Sequence, residues 1–171
     1  ITTMKMDAGL DTGDILLQSE TEIGSNEDAI ELMARLSFEG AKLLSETLKN
    51  LDTIEPRKQN ESEASYAPIL SKEDGKIFWD SRAEKICDRI HGFQPFPTAF
   101  TAFQNKRLTI WKAETIDFQF HAETKEGTIL KAEKDDFIVA CGGNTALKLT
   151  EIQTEGKRRM NIRDFLNGQK I

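Results

Sequence analysis

Met6-Asp7-Ala8-Gly9-Leu10-Asp11-Thr12-Gly13-Asp14-Ile15-Leu16 sets three carboxylates and two glycines within eight residues, between two apolar stretches. Glycine permits close backbone approach and positive φ, and polar loops at strand ends carry chemistry more often than packing. The run therefore reads as a functional loop joining two strands, residues 1–6 and 14–23. Strand-like sequence is already under way at Ile1, with no initiator methionine, so the chain is expected to be the back part of a longer protein.

Beyond the loop, Ser25-Asn26-Glu27-Asp28 has the Ser-x-x-acid form of a helix start. Ile30, Met33, Ala34, Leu36, Ala41, Leu44, Leu48 and Leu51 then recur mostly at helical spacing, which predicts an amphipathic helix to about Asn50. Residues 52–75 bear Pro, Ser, Glu and Asn with little periodicity and read as a connector. A second unit begins near Lys76. Ile77-Phe78-Trp79 reads as a short strand, Ser81-Arg82-Ala83-Glu84 as another helix start, and Ala83, Ile86, Cys87 and Ile90 as one helix face. Strands are expected at 98–104, 107–118, 127–133, 136–141 and 145–153, separated by turn chemistry such as Gly142-Gly143-Asn144. Five short strands at this spacing predict a small closed or half-open barrel. A short helix at 161–166 ends the pattern, stopped by Asn167-Gly168.

Composition narrows the class. Over 171 residues, 38% are apolar and 30% charged, which fits a globular chain and excludes wholesale disorder. No apolar run approaches the roughly 18–20 residues that span a bilayer. Two cysteines far apart and two histidines argue against a disulfide scaffold or structural zinc. Residues 1–75 carry 7 basic and 16 acidic side chains, whereas residues 76–171 carry 16 and 13. An acidic front and a mildly basic back imply two units with different partners, the second more compatible with a polyanion, although a solvated mixed surface reads equally well from charge alone.

The acidic loop resembles that of the folate-dependent formyltransferases. Further motifs follow in order along the chain: Ser65-Tyr66-Ala67-Pro68, Ser71-Lys72-Glu73-Asp74-Gly75-Lys76-Ile77, Pro95-Phe96-Pro97-Thr98-Ala99, Arg107-Leu108-Thr109-Ile110-Trp111-Lys112-Ala113, Gly127-Thr128-Ile129-Leu130 and Phe165-Leu166-Asn167-Gly168. Together these resemble the tRNA-directed branch, the methionyl-tRNA formyltransferases. The resemblance implies an α/β fragment at 1–55, the end of a Rossmann-like catalytic domain, then a linker at 56–75. A mainly β, OB-like barrel domain with flanking helices is implied at 76–171. It implies transfer of a formyl group from 10-formyltetrahydrofolate to the amino group of initiator methionyl-tRNA, in a bacterial cytoplasm or an organelle, with no metal and no membrane partner.

The same resemblance assigns roles. Asp11 is the implied catalytic aspartate, and Asp7, Gly9 and Leu10 are implied to hold the folate. The family also uses an Asn and a His that precede this aspartate and have no counterpart here, so the missing N-terminal part of the catalytic domain becomes an expected partner. His91 and His121 lie in the wrong unit for that role. Lys72, Lys106, Arg107, Lys157, Arg158 and Arg159 are candidate tRNA phosphate contacts. Relatives commonly carry a Lys where this chain has Ile69, and an acidic residue where it has Phe78. Lys72 is then the candidate replacement in the linker. From the residues alone, each loop aspartate reads equally as a turn residue bonding its own backbone. The run lacks the Asp-x-Asp-x-Asp-Gly order and later Glu of a calcium loop. Phe96, Phe100, Phe103, Trp111, Phe118 and Phe137 could stack on bases, but their strand positions favour packing. Alternatives are another folate-dependent formyltransferase or hydrolase, or a non-catalytic tRNA-binding module.

Overall fold

Thr2–Lys5 (β1) and Asp14–Gln18 (β2) pair antiparallel on either side of the acidic loop, with a bulge between Thr3 and Met4. The computed structural model describes residues 1–168, and its contacts divide the chain into two units between Ile69 and Leu70. In the first unit, Ala29–Lys49 (α1) lies on the β1–β2 pair. Its start is not the predicted Ser25. Asp28 is the N-cap and accepts from Ile30 N and Glu31 N at 3.0 Å each, while Glu31 Oε2 accepts from Asp28 N at 3.2 Å. The Ser25 region is occupied instead by a loop tied to the helix. Arg35 donates to both Glu27 carboxylate oxygens at 2.9 and 2.7 Å, and Glu27 also accepts from Gly24 N.

Toward β1 and β2, α1 buries only part of its apolar surface. Leu43 and Thr47 are its buried residues, while Ile30, Met33, Leu44, Leu48 and Leu51 remain exposed. A chain of hydroxyls accounts for the register. Thr47 Oγ1 donates to Leu43 O at 2.8 Å and lies 2.8 Å from Thr3 Oγ1, which in turn accepts from Leu17 N at 3.1 Å. The helix is thus keyed to the bulged strand pair by polar contacts that an apolar pattern does not reveal. Beyond α1, Arg57 bonds Ile15 through both backbone groups, at 2.8 and 2.9 Å, and extends the pairing past β2.

The second unit is mainly antiparallel sheet. Ala99–Phe103 (β3), Lys106–Ile116 (β4), Ile129–Glu133 (β5), Asp136–Cys141 (β6), Thr145–Thr154 (β7) and Met160–Asn161 (β8) form one six-stranded sheet. The order is β3-β4-β7-β6-β5, with β8 also on β7. The five predicted strands are present; β8, two residues long, has no periodicity to betray it. Residues 77–79 form no strand among the described residues. Ile77 N reaches Phe100 O at 2.8 Å, but Trp79 O and Ser81 O are taken by Gly142 N, which bends the segment away.

Ala83–Gly92 (α2) buries Ala83, Ile86, Cys87 and Ile90 and packs on β4 and β7. The apolar core beneath it includes Leu108, Ile110, Leu147, Leu149 and Ile152. Phe103 on β3, Phe137 on β6 and Phe165 on Ile162–Asn167 (α3) form an aromatic cluster, with ring centroids 5.8–6.1 Å apart. Both thiols are buried, and burial pushes Cys87 up to about 11 and Cys141 up to about 12.

Ser81 does not cap α2 as the pattern predicts. The N-cap is Arg82, which makes no capping bond with its side chain. Instead Thr145 Oγ1 accepts from Ala83 N at 2.8 Å while donating to Gly142 O at 2.7 Å. The cap comes from β7, 62 residues away. Replacing Thr145 with valine removes both bonds at similar volume and is expected to cost about 1 kcal/mol in urea unfolding, with Thr145→Ser close to the parent. Equal stability of the valine variant would show that α2 needs no such cap.

Candidate functional site

The acidic loop is organised by its own side chains at one limb. Asp7 Oδ1 accepts from Thr12 Oγ1 at 2.6 Å and from Gly9 N at 3.0 Å. The Thr12 hydroxyl first, then the Gly9 N–H, hold the Asp7 carboxyl below the usual aspartate range. Gly13 is required at the neck of the loop, because a Cβ there would lie 2.0 Å from Lys5 O. Asp14 opens β2 opposite Lys5.

At the tip the chemistry is displayed. Leu10 is 95% exposed. Asp11 is exposed, and its backbone sits at φ 54°. Few residues with a side chain adopt that region, and aspartate is among the tolerant ones. Among the described residues, no group donates to its carboxylate, which is available to accept a proton donor brought to it. An open recess of about 1070 Å³ borders the loop, lined by Asp7, Leu10, Asp11, Gln59 and Tyr66 among others, all in the first unit. Asp7, Gly9, Leu10 and Asp11 therefore belong to one loop, two of them holding its turn and two presented outward. Among the described residues, no three His, Cys, Asp or Glu side chains are grouped to hold a metal ion.

Gln59 is the residue that sequence reasoning missed. Its Nε2 donates to Asp11 O and to Gly13 O, both at 2.7 Å. Nothing around Gln59 marks it, since its partner lies 48 residues away and the segment has no apolar period.

The candidate cations of the second unit differ in what they already touch. Lys72 opens a 3-10 turn, Lys72–Gly75, and is exposed. Lys106 begins β4 after the Gln104–Asn105 turn, where both residues have positive φ. The Arg107 guanidinium stacks on Phe100 at 3.6 Å from the ring centroid. Lys157 and Arg158 are exposed in the turn between β7 and β8. Arg159 is bound to Glu151, with Nε 2.6 Å from Oε1, and covers Trp111 at 4.8 Å. Lys148 and Arg163 are likewise engaged with Asp136 and Asp135. The aromatics divide similarly: Phe137 is core, Phe103 packs on it, Phe100 and Trp111 lie half-buried under arginines, and Phe96 is exposed. His91 sits on α2, its Nε2 3.9 Å from Cys87 Sγ.

Known proteins bear on this arrangement. The family profile described as "Formyl transferase, C-terminal domain" matches residues 69–170. The chain is 47% identical to the methionyl-tRNA formyltransferase of Caldanaerobacter subterraneus subsp. tengcongensis, over 100% of this chain and 55% of that protein. It is 45% identical to the methionyl-tRNA formyltransferase of Solibacter usitatus, over 100% of this chain and 54% of that protein. The chain thus spans about half the length of the curated relatives it matches. Among solved structures, HypX from Aquifex aeolicus in complex with tetrahydrofolic acid superposes with a TM-score of 0.65 at 14% identity, covering 96% of this chain and 29% of that one. That likeness is one of fold.

The Asp7 bonds predict a titration. Because Asp7 is held below its ordinary value, its ordering of the loop is complete above that value and is lost as pH falls through the lowered one. Thr12→Val removes the larger cause and should raise the Asp7 pKa, as read by NMR titration of its carboxyl carbon. An unshifted titration would deny the Thr12 hydroxyl that part.

Proposed function

The chain belongs to the family of formyl transferase C-terminal domains, matched over residues 69–170, and from that premise we propose its place in an enzyme. It serves as the C-terminal part of a protein that transfers a formyl group from 10-formyltetrahydrofolate to the amino group of initiator methionyl-tRNA. The observation that carries this reading is identity of 45–47% to two methionyl-tRNA formyltransferases along the whole chain, acidic loop included. In this reading residues 1–55 end a Rossmann-like catalytic domain, 56–75 link, and 76–171 form an OB-like domain. The antiparallel order β3-β4-β7-β6-β5 under a packed helix supports the last assignment.

The chemistry asks three things of the site. The attacking amine must be uncharged, the tetrahedral oxyanion must be stabilised, and the folate nitrogen must gain a proton as it leaves. Asp11 accepts a hydrogen bond from a histidine supplied by the preceding part of the enzyme, and so favours its protonated form during proton transfer. Its exposed carboxylate on a backbone fixed at positive φ supports that role. Asp7, Gly9 and Leu10 form the wall against the folate, whose chemistry is to deliver the formyl carbon. The fold shared with a protein crystallised with tetrahydrofolic acid supports folate as the donor.

For the tRNA, Lys72, Lys106, Arg107, Lys157, Arg158 and Arg159 contact phosphates. Lys157 and Arg158 contribute most, because their charges are exposed while Arg159 is committed to Glu151. Ile69 stands exposed in the linker, and Lys72 three residues on supplies the linker charge.

In the full-length enzyme, Asp11→Asn should lower kcat by roughly 10²–10⁴-fold with the melting curve retained. Near-parental turnover would take Asp11 out of the mechanism. Separately, tRNA affinity measured against salt should show a log–log slope that falls by about 1 for each of Lys157→Ala and Arg158→Ala. Unchanged slopes would place the phosphates elsewhere.

A further inference from the structure

The acidic loop has two limbs, held in different ways. Its first limb is self-sufficient: Asp7 collects Gly9 N and Thr12 Oγ1. The second limb, Asp11 to Gly13, carries the exposed Asp11 at φ 54°. Aspartate tolerates this region, yet it is a sparsely occupied one for a residue with a Cβ, and neighbouring contacts help to hold it. Two of the limb's three carbonyls, Asp11 O and Gly13 O, accept from the Nε2 of Gln59, 2.7 Å away in each case.

The chemistry of that contact is specific. A carbonyl only accepts, and the Gln amide nitrogen carries two hydrogens, so both are spent on this limb. Asp11 O belongs to the Asp11–Thr12 peptide and Gly13 O to the Gly13–Asp14 peptide, so the two bonds bracket Thr12 and Gly13 and restrain the backbone from which the Asp11 side chain projects. Gln59 is itself anchored. Two residues earlier, Arg57 pairs with Ile15 through both backbone groups, and its Nη2 reaches Gln18 Oε1 at 2.5 Å. The side chain therefore projects from an added edge of β2 into the loop. The sequence between, including all of α1, returns the chain to the place where it left β2.

We propose that Gln59 is a positioning residue for Asp11: its amide clamps the Asp11 and Gly13 carbonyls and so aims the Asp11 carboxylate. This rests on Asp11 being the catalytic aspartate. Gln59 touches no reacting atom and acts only through the loop. Glutamate at this position is nearly isosteric but presents an acceptor to two acceptors, whereas methionine keeps the length and offers nothing.

The test uses the full-length enzyme with Gln59→Glu and Gln59→Met, read by formyl transfer kinetics, thermal melting and backbone NMR order parameters of residues 11–13. Expected are melting temperatures within about 4 °C of the parent and KM values for both substrates within about twofold. The kcat should fall on the order of 10- to 100-fold, as a misplacement near 1 Å produces. Order parameters should drop from about 0.85 toward 0.6 only in residues 11–13. A folded Gln59→Met enzyme with parental kcat would overturn the proposal. So would global unfolding of both variants, since the clamp is required only by the loop. If Gln59→Glu alone unfolds, Gln59→Met decides. Should the parent enzyme itself fail to formylate methionyl-tRNA, the proposed function fails, and the order parameters still decide whether Gln59 holds the loop.

Discussion

Strand β7 is the element on which the second unit is assembled. A strand offers two edges, and here both are used over nearly their full length. β4 runs along one edge from Ala146 to Thr154, while the other is shared, with β6 on residues 145–149 and β8 on residues 151–152. Leu147, Leu149 and Ile152 face the core beneath α2, and at its first residue the Thr145 hydroxyl closes the helix end. Few arrangements satisfy so many backbone groups with one strand. An error in its register would turn the apolar row outward and uncap the helix together.

The first unit follows a different logic. Polar side chains tie its parts together: the Thr3–Thr47 hydroxyl pair joins helix to strand, Arg35 with Glu27 ties down the preceding loop, and Gln59 reaches the acidic loop. Polar contacts are directional where apolar burial is not. A loop that must present a carboxylate in one direction is better served by such contacts. The arrangement gathers its control at the loop, with Gly13 closing the neck against Lys5 O and Asp7 drawing the near limb together.

How much of this was legible follows from the same distinction. The hairpins of the second unit could be read because turn residues did what their chemistry favours: Asn105 and Asn144 adopt positive φ, as does Gly143. The loop strands and the helix spans were legible from alternation and period, except that β2 ends at Gln18 rather than running to residue 23. The details that failed were local rules overridden at a distance. Of the two Ser-x-x-acid runs read as helix starts, one gives way to Asp28 three residues on, and the other to Thr145 on a distant strand. On α1 the hydroxyl contact between Thr3 and Thr47 joins residues 44 apart, and no apolar period announces it. The acidic loop that carries Asp11 was legible from its carboxylates and glycines. Gln59 was not, because a side-chain amide bonding two distant carbonyls leaves no trace in periodicity or composition.

The chain has two cysteines, Cys87 under α2 and Cys141 at the end of β6. At 8% and 3% exposure, with their thiols pushed up to about 11 and 12, neither presents a thiolate to solvent near neutrality. The first unit has none. Alkylation within this chain is thus gated by opening of the second unit alone, and mass-spectrometric counting of sulfurs modified in it is a clock for that opening, blind to whatever the acidic loop and its helix are doing.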